Sequence, residues 1–318
     1  MREYISKIAP LMREYERFQM ASDRWCENSN ALLTRFDRHC ATNFPESDAL
    51  SEEMLEWCNK RDTESNNSCC SRIYPIVGFV RFLQKRGMTH VNPPTIPRKE
   101  RRAYVPHAFT PEELKNFFAA CDMIISRPYT SALVSQNLNL TIPVFFRLLY
   151  SSGIRTNEAR LLRKDDADLS HGVLNIRYSK GHDQHFVVLH DSMLKLMREY
   201  DAAIGNLYPG RLYFFPGRSG ECRSNSWVCS NFKKLWEKGN NSYAVAYELR
   251  HNYAVTNVNS WTDDCIGFNQ KLYSLSKSMG HSVIESTNYY YSLVPRMANI
   301  LDEHTDEDEV IPEVCYES

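Results

Sequence analysis

Four short stretches of this chain combine side chains that act on phosphates and protons. In SSGIRTNEARLL, Gly153 breaks one helix and Arg155 starts the next, with Glu158 three residues on and on the same face. A lone Arg–Glu pair is ordinarily a surface salt bridge, but a carboxylate also keeps a phosphate-binding guanidinium in one orientation. The turn Ser179-Lys180-Gly181-His182 offers a lysine. Such a residue is most often merely solvated, yet an ammonium on a hairpin tip suits reaching into a groove and delivering a proton. In Tyr247-Glu248-Leu249-Arg250-His251, a helix would put Tyr247 and Arg250 on one face, with His251 adjacent and Leu249 turned inward. The plain alternative is a polar helix edge.

The fourth stretch is MGHSVIESTNYYYSLVP. Gly280 ends one helix, and Ser282 to Glu285 reads as a capping box starting another, which pins His281 in the corner. The new helix projects Tyr289, Tyr290 and Tyr291 in steps of ~100° before Pro295 stops it. Three adjacent tyrosines cannot all be buried, and helix geometry leaves all three standing as nucleophile candidates.

The elements that must position these groups fall into two domains. Residues 1–87 read as helices: Leu32, Leu33, Phe36 and Cys40 recur at helical spacing, as do Met54, Leu55 and Cys58 after Ser51. A stronger apolar run from Ile73 to Phe82 stops at Gly87. The following segment holds four prolines and the bases Arg98, Lys99, Arg101 and Arg102, a composition that favours an extended connector. It reads either as a solvated linker or as a basic strap along a DNA backbone. Thr110-Pro111-Glu112-Glu113 opens a second domain with a capped helix. An apolar helix over roughly 140–151, a β-hairpin over 173–190 and further helices near 225–237, 247–260 and 266–279 complete it.

A length of 318 residues suits two domains, and 42% hydrophobic residues suffice for packed cores. No stretch approaches the ~20 apolar residues of a membrane helix, and the N-terminus lacks an apolar signal core. The ten cysteines are scattered without a C-x-x-C pair, so reduced thiols are expected, with no structural metal. Net charge is −1, but residues 301–318 hold eight acids and no Lys or Arg. Without those eight, 31 acids stand against 38 bases, leaving residues 1–300 at +7. An acidic tail on a moderately basic body is compatible with DNA binding.

In this order the four stretches resemble the tyrosine recombinase, or phage integrase, family. Its catalytic domain carries G-[IL]-R-x-x-E, a hairpin lysine, H-x-L-R-H and G-H-x(8)-Y. Here these are Gly153-Ile154-Arg155 with Glu158, Lys180-Gly181, Leu249-Arg250-His251, and Gly280-His281 with Tyr290. The interval of nine from His281 is the family's spacing and selects Tyr290. The resemblance covers about residues 107–295 and implies a mainly α fold with a small β-sheet. A helical core-binding (SAM-like) domain over 1–88 and a basic, Pro-rich linker over 89–107 precede an α+β catalytic domain over 108–296. An acidic tail follows over 297–318. Because the presumed core-binding domain comes first, an additional arm-site domain is not expected. One position departs from the pattern: Tyr247 stands where the family usually has His. A phenol can bond a phosphate oxygen, but with a reference pKa near ~10 it is a poor base at neutral pH.

The resemblance implies a site-specific recombinase or integrase that cuts and rejoins DNA through a 3′-phosphotyrosine on Tyr290. Arg155, Arg250 and His281 would stabilise charge on the non-bridging oxygens, and Lys180 would protonate the departing 5′-oxygen. Glu158 would orient Arg155, with His251 a secondary donor. The covalent link stores the bond energy, so no metal, ATP or other cofactor is expected. Expected partners are double-stranded DNA with a specific core site and a homotetramer across two duplexes, with room for an accessory DNA-bending or directionality factor. The expected compartment is the prokaryotic cytoplasm, at the nucleoid. Val310, Ile311 and Val314 in the tail offer a small apolar motif that suits docking on a neighbouring subunit, against a plain disordered tail. The alternatives are a type IB topoisomerase-like enzyme with the same chemistry, or a decayed member that only binds DNA. A metal-dependent nuclease is disfavoured, since no clustered carboxylates are seen.

Overall fold

The computed structural model describes residues 3–22, 24–25, 27–100, 106–124, 131–177, 184–261, 267–281 and 287. The chain divides into two units, Met1–Tyr104 and Val105–Ser318. Lys180, Tyr289, Tyr290, Tyr291, Arg101, Arg102, the expected cap from Ser282 to Glu285 and the acidic tail lie outside the described residues.

The first unit is helical, with α1 (Ala9–Ala21), α2 (Glu27–Asn43), α3 (Glu52–Leu55) and α4 (Asn66–Lys85). Serines start the last two: Ser51 accepts from the Met54 N–H and Ser65 from the Ser68 N–H. Helix α4 begins seven residues before the apolar run at Ile73, because Ser65 caps it and its first turns bury Cys69 and Cys70. Met12, Phe36, Met54, Ile73, Phe79 and Val80 close the core. Buried Asp37 fastens the N-terminal segment by accepting from the Ile5 and Ser6 N–H groups and the Ser6 hydroxyl.

The connector is extended, as its prolines require, but it is not a free linker through residue 100. Gln84 donates to the Val91 carbonyl (3.0 Å), the Cys70 thiol to that of Pro97 (3.1 Å) and Asn66 to that of Arg98 (2.9 Å). Asn67 and Glu100 exchange two bonds: the Asn67 amide donates to the Glu100 carbonyl, and the Glu100 N–H donates to the Asn67 side chain. An extended backbone leaves its polar groups open, and the side chains of α4 fill them. Arg98 and Lys99 remain exposed on this strap.

In the second unit, α5 (Pro111–Asp122) starts with a complete capping box between Thr110 and Glu113. Helix α6 (Ala132–Ser152) starts eight residues earlier than its apolar run predicts. Its first turns are polar (Ser135, Gln136, Asn137, Asn139) and it carries Pro143, which together obscure the period, while Ser131 caps it. Next come α7 (Thr156–Leu161) and an antiparallel sheet of β1 (Ala167–Asp168), β2 (Val173–Ile176) and β3 (His185–Val188), ordered β1-β2-β3. Leu174 pairs with Val187 and Ile176 with His185, so the buried residues of β2 and β3 share one face. Helices α8 (Asp191–Leu207), α9 (Asn225–Trp236), α10 (Glu248–Asn259) and α11 (Phe268–Ser278) follow.

Phe117, Phe146, Phe232 and Trp236 meet in the core, with Phe232 stacked on Trp236 at 5.7 Å and 11°. Helix α6 packs on α8 and α10, and Ala254, Val258, Leu275 and Met279 seal α10 against α11. The described residues are thus mainly helical with one small sheet.

Gly153 ends α6 in the left-handed region, with φ 63°. A Cβ there would lie 2.2 Å from a ring carbon of Tyr253 on α10. Gly153→Ala is therefore expected to lose about 1–2 kcal/mol to the backbone and about 1–3 kcal/mol to overpacking. A urea-unfolding midpoint lowered accordingly checks this; an unchanged midpoint contradicts it.

Candidate active site

Arg155 is the residue before α7, and its guanidinium is held from two sides. Nη1 donates to Glu158 Oε1 (2.6 Å), and Nη2 donates to the Gly280 carbonyl (2.9 Å). The other oxygen of Glu158 accepts the Arg155 backbone N–H at 2.8 Å, so one buried carboxylate fixes both ends of the arginine. The reading that Glu158 orients Arg155 thus has a direct geometric counterpart.

Arg250 lies in the first turn of α10 and is only 1% exposed. Nη1 donates to the Gly153 carbonyl (2.6 Å) and Nη2 to the Met279 carbonyl (2.7 Å). Nη2 also faces His281 Nε2 at 3.0 Å. The two arginines thereby lace three segments together: the turn at 153–155, the start of α10, and the corner at 279–281.

His281 sits just past α11, where Gly280 takes φ 63° and the His281 N–H donates to the Ser276 carbonyl. A guanidinium cannot accept a hydrogen bond, so Nε2 accepts from Arg250. In the neutral ring the proton then sits on Nδ1, which faces the Thr287 hydroxyl at 2.7 Å. Burial lowers the His281 pKa to about 4, with help from the Arg250 and Arg155 guanidiniums and against the pull of Glu158. His281 is therefore neutral at pH 7 without DNA.

A depressed histidine favours folding only while the unfolded chain is also neutral. That contribution is complete above about pH 6.5 and fades as pH falls from there to about 4. The drop is expected to reach on the order of 2–3 kcal/mol, at 1.36 per unit with some solvent screening. Urea midpoints against pH should flatten over this window in His281→Gln, which keeps an acceptor for Arg250 but cannot titrate. An equal slope in both proteins contradicts the assignment.

His251 follows Arg250 and is buried. Burial lowers its pKa, with Glu248 pulling up and Arg250 down. Tyr247 does not share the environment of Arg250: it is 43% exposed, its ring edge-on to His251 at 5.1 Å. Three residues turn a helix by ~300°, which leaves Tyr247 on the solvent side of a boundary that Arg250 has crossed.

The structure thus gathers Arg155, Glu158, Arg250 and His281 around one corner, with His251 and Tyr247 at its edge. It adds residues that the sequence did not single out. Thr287 binds the His281 ring. Glu248 accepts from the backbone N–H groups of Val245 (2.7 Å) and His107 (3.0 Å), and so holds the start of α10. His185 on β3 stands with Nε2 3.9 Å from Glu158 Oε2. Only Thr287 carried a signal, its position within the helix that the Tyr cluster implies; a lone histidine on a strand carried none. Arg98 and Lys99 belong to the first unit.

The model of the phage integrase family matches residues 108–296. Over 157 residues the chain is 27% identical to the "Putative integrase/recombinase y4rE" of Sinorhizobium fredii, covering 48% of this chain and half of that protein's length. It is 27% identical over 230 residues to tyrosine recombinase XerC of Xylella fastidiosa, covering 72% of this chain and 71% of the relative. The fold resembles the XerH site-specific recombinase bound to difH substrate, with TM-score 0.58 and 17% identity, covering 87% of this chain and 78% of that one. It also resembles a lambda integrase tetramer bound to a Holliday junction, with TM-score 0.57 and 14% identity over 89% of this chain and 76% of the other.

Proposed function

Because this chain belongs to the phage integrase family, the tyrosine recombinases, we propose that it is a site-specific DNA recombinase that cleaves and rejoins strands through Tyr290. The observation that carries the proposal is the convergence of Arg155, Arg250 and His281 on the corner at 279–281, nine to eleven residues before Tyr290 in the chain.

The Tyr290 hydroxyl attacks a phosphodiester and gives up its proton to solvent as the 3′-phosphotyrosine bond forms, and the bond to the 5′-oxygen breaks with Lys180 protonating that oxygen. Negative charge grows on the non-bridging oxygens as the attack proceeds. Donors fixed in advance stabilise that charge without reorganisation, which is usually the largest catalytic term. Glu158 and the backbone carbonyls of Gly153, Met279 and Gly280 fix Arg155 and Arg250 in this way. His281 contributes as a donor to phosphate once it gains a proton on Nε2, and the phosphate's own charge offsets the two guanidiniums that resist that proton. Tyr247 at its exposed position serves as a hydrogen-bond donor and not as a base.

The substrate is double-stranded DNA with a specific core site, gripped by the first unit together with the bases Arg98, Lys99, Arg101 and Arg102. Four copies act on two duplexes, a reading supported by the likeness to the tetramer on a Holliday junction. No described helix is long and apolar enough to cross a membrane, and the proposed place of action is the DNA of a prokaryotic cytoplasm. A nicked suicide substrate tests the proposal: a denaturant-resistant protein–DNA adduct is expected, with recombinant products from two sites. Topoisomers without recombinants favour a topoisomerase-like enzyme, and binding without an adduct leaves only a DNA-binding protein.

A further inference from the structure

We propose that His185 is a positioning residue that holds the Arg155–Glu158 pair and the Gly280–His281 corner in their working register; the inference rests on the recombinase reading above. His185 is 8% exposed and sits at the first position of β3, paired with Ile176 across the sheet. Its ring occupies the space over the α-carbon of Gly280. A Cβ on Gly280 would lie 2.5 Å from His185 Cε1 and 2.6 Å from Nδ1, so only glycine lets the corner close on the ring. The same edge of the ring carries Nε2, which lies 3.0 Å from that Cβ position and 3.9 Å from Glu158 Oε2. That same oxygen accepts the Arg155 N–H, while its twin binds the guanidinium.

One ring therefore touches the two segments whose relative placement sets the site. Glu158 fixes Arg155, and Arg155 donates to the Gly280 carbonyl. Arg250 takes the Met279 carbonyl and His281 beside it. Removing the His185 ring opens space under Gly280 and leaves the corner free to sink toward the sheet. The carbonyls that hold the guanidiniums would move with it. A displacement of about 1 Å at a reacting centre costs on the order of 10²-fold in rate. A site built on a strand is a more precise support than one built on loops.

The test compares His185→Ala with the wild type on two DNAs in single-turnover adduct formation. On an ordinary scissile phosphodiester, adduct formation is expected to slow by about 10–100-fold while DNA affinity stays within about threefold. On DNA with a methylphosphonate at the scissile position, one non-bridging oxygen and its charge are gone. The reaction then leans less on guanidinium placement, and the His185→Ala deficit should shrink to within about threefold. A residue that merely supports the fold would lower both reactions equally. His185→Gln, a polar side chain long enough to occupy part of the same space, should recover most of the phosphodiester rate.

If thermal unfolding shows that His185→Ala does not fold, His185→Val runs the same comparison, since it removes the ring from under Gly280, leaves a smaller cavity and suits a strand. Arg155→Ala is measured in parallel. No relief in Arg155→Ala on the methylphosphonate overturns the assignment of Arg155 to the phosphate oxygens, and the inference with it. Relief in Arg155→Ala with an unchanged deficit in the His185 variant, or no His185 deficit at all, overturns the positioning role alone.

Discussion

Tyr290→Phe is expected to abolish the covalent protein–DNA adduct while leaving DNA binding intact. Phenylalanine keeps the ring and removes only the oxygen that would attack phosphorus, so no other step should change. The expected effect is total because the residual reaction would need water in place of a tethered nucleophile, and tethering alone is worth about 7–11 kcal/mol. Tyr289→Phe and Tyr291→Phe should retain cleavage. A denaturing gel of suicide-substrate reactions decides among the three. Loss of the adduct through Tyr291→Phe alone would show that the nine-residue interval from His281 picks the wrong register.

Arg250→Ala should lower both rate and stability, because this guanidinium serves the site and the fold together. It is 1% exposed and fills the carbonyls of Gly153 and Met279. Each carbonyl left buried without a partner costs about 1–3 kcal/mol, so a loss of about 2–6 kcal/mol is expected. Losing one fixed donor to the transition-state charge typically costs about 10²–10³ in rate. Arg250→Lys separates the two roles. A single ammonium keeps the charge but cannot span both carbonyls and a phosphate oxygen as a planar fork does. It should therefore lose about 10²-fold in rate with a smaller loss of stability. Single-turnover cleavage beside urea unfolding checks both; a fully active Arg250→Lys would remove the need for the fork.

The site was legible in the sequence where spacing along one element carries the information. Gly153 to Glu158 and Gly280 to His281 each sit on a single helix boundary, and the capping and left-handed turns there follow from residue type. Tyr247 shows the limit of that reasoning. Its three-residue interval from Arg250 correctly gives nearby directions on a helix, but not where the boundary between buried and exposed falls. His185 shows a deeper one, because its importance lies in a contact with Gly280 almost a hundred residues away, which no local pattern encodes. The connector's prolines gave its extended course, but not the side chains that hold it. The amides of Asn66 and Asn67 that hold it come from a helix more than thirty residues upstream.

The bond from the His107 N–H to Glu248 bears on how the chain can be dissected. The family match begins at residue 108, a natural place to start an isolated catalytic fragment. A fragment cut there would lack the backbone donor that fills one oxygen of Glu248. It would also lack the imidazole that, with the Ser242 hydroxyl and the Thr110 N–H, offsets burial and holds the Glu113 pKa at about 2. Both carboxylates sit at helix starts, one of them two residues before Arg250. A minimal fragment meant to report on the chemistry has to begin upstream of His107, and weak activity in a shorter one would reflect the cut, not the enzyme.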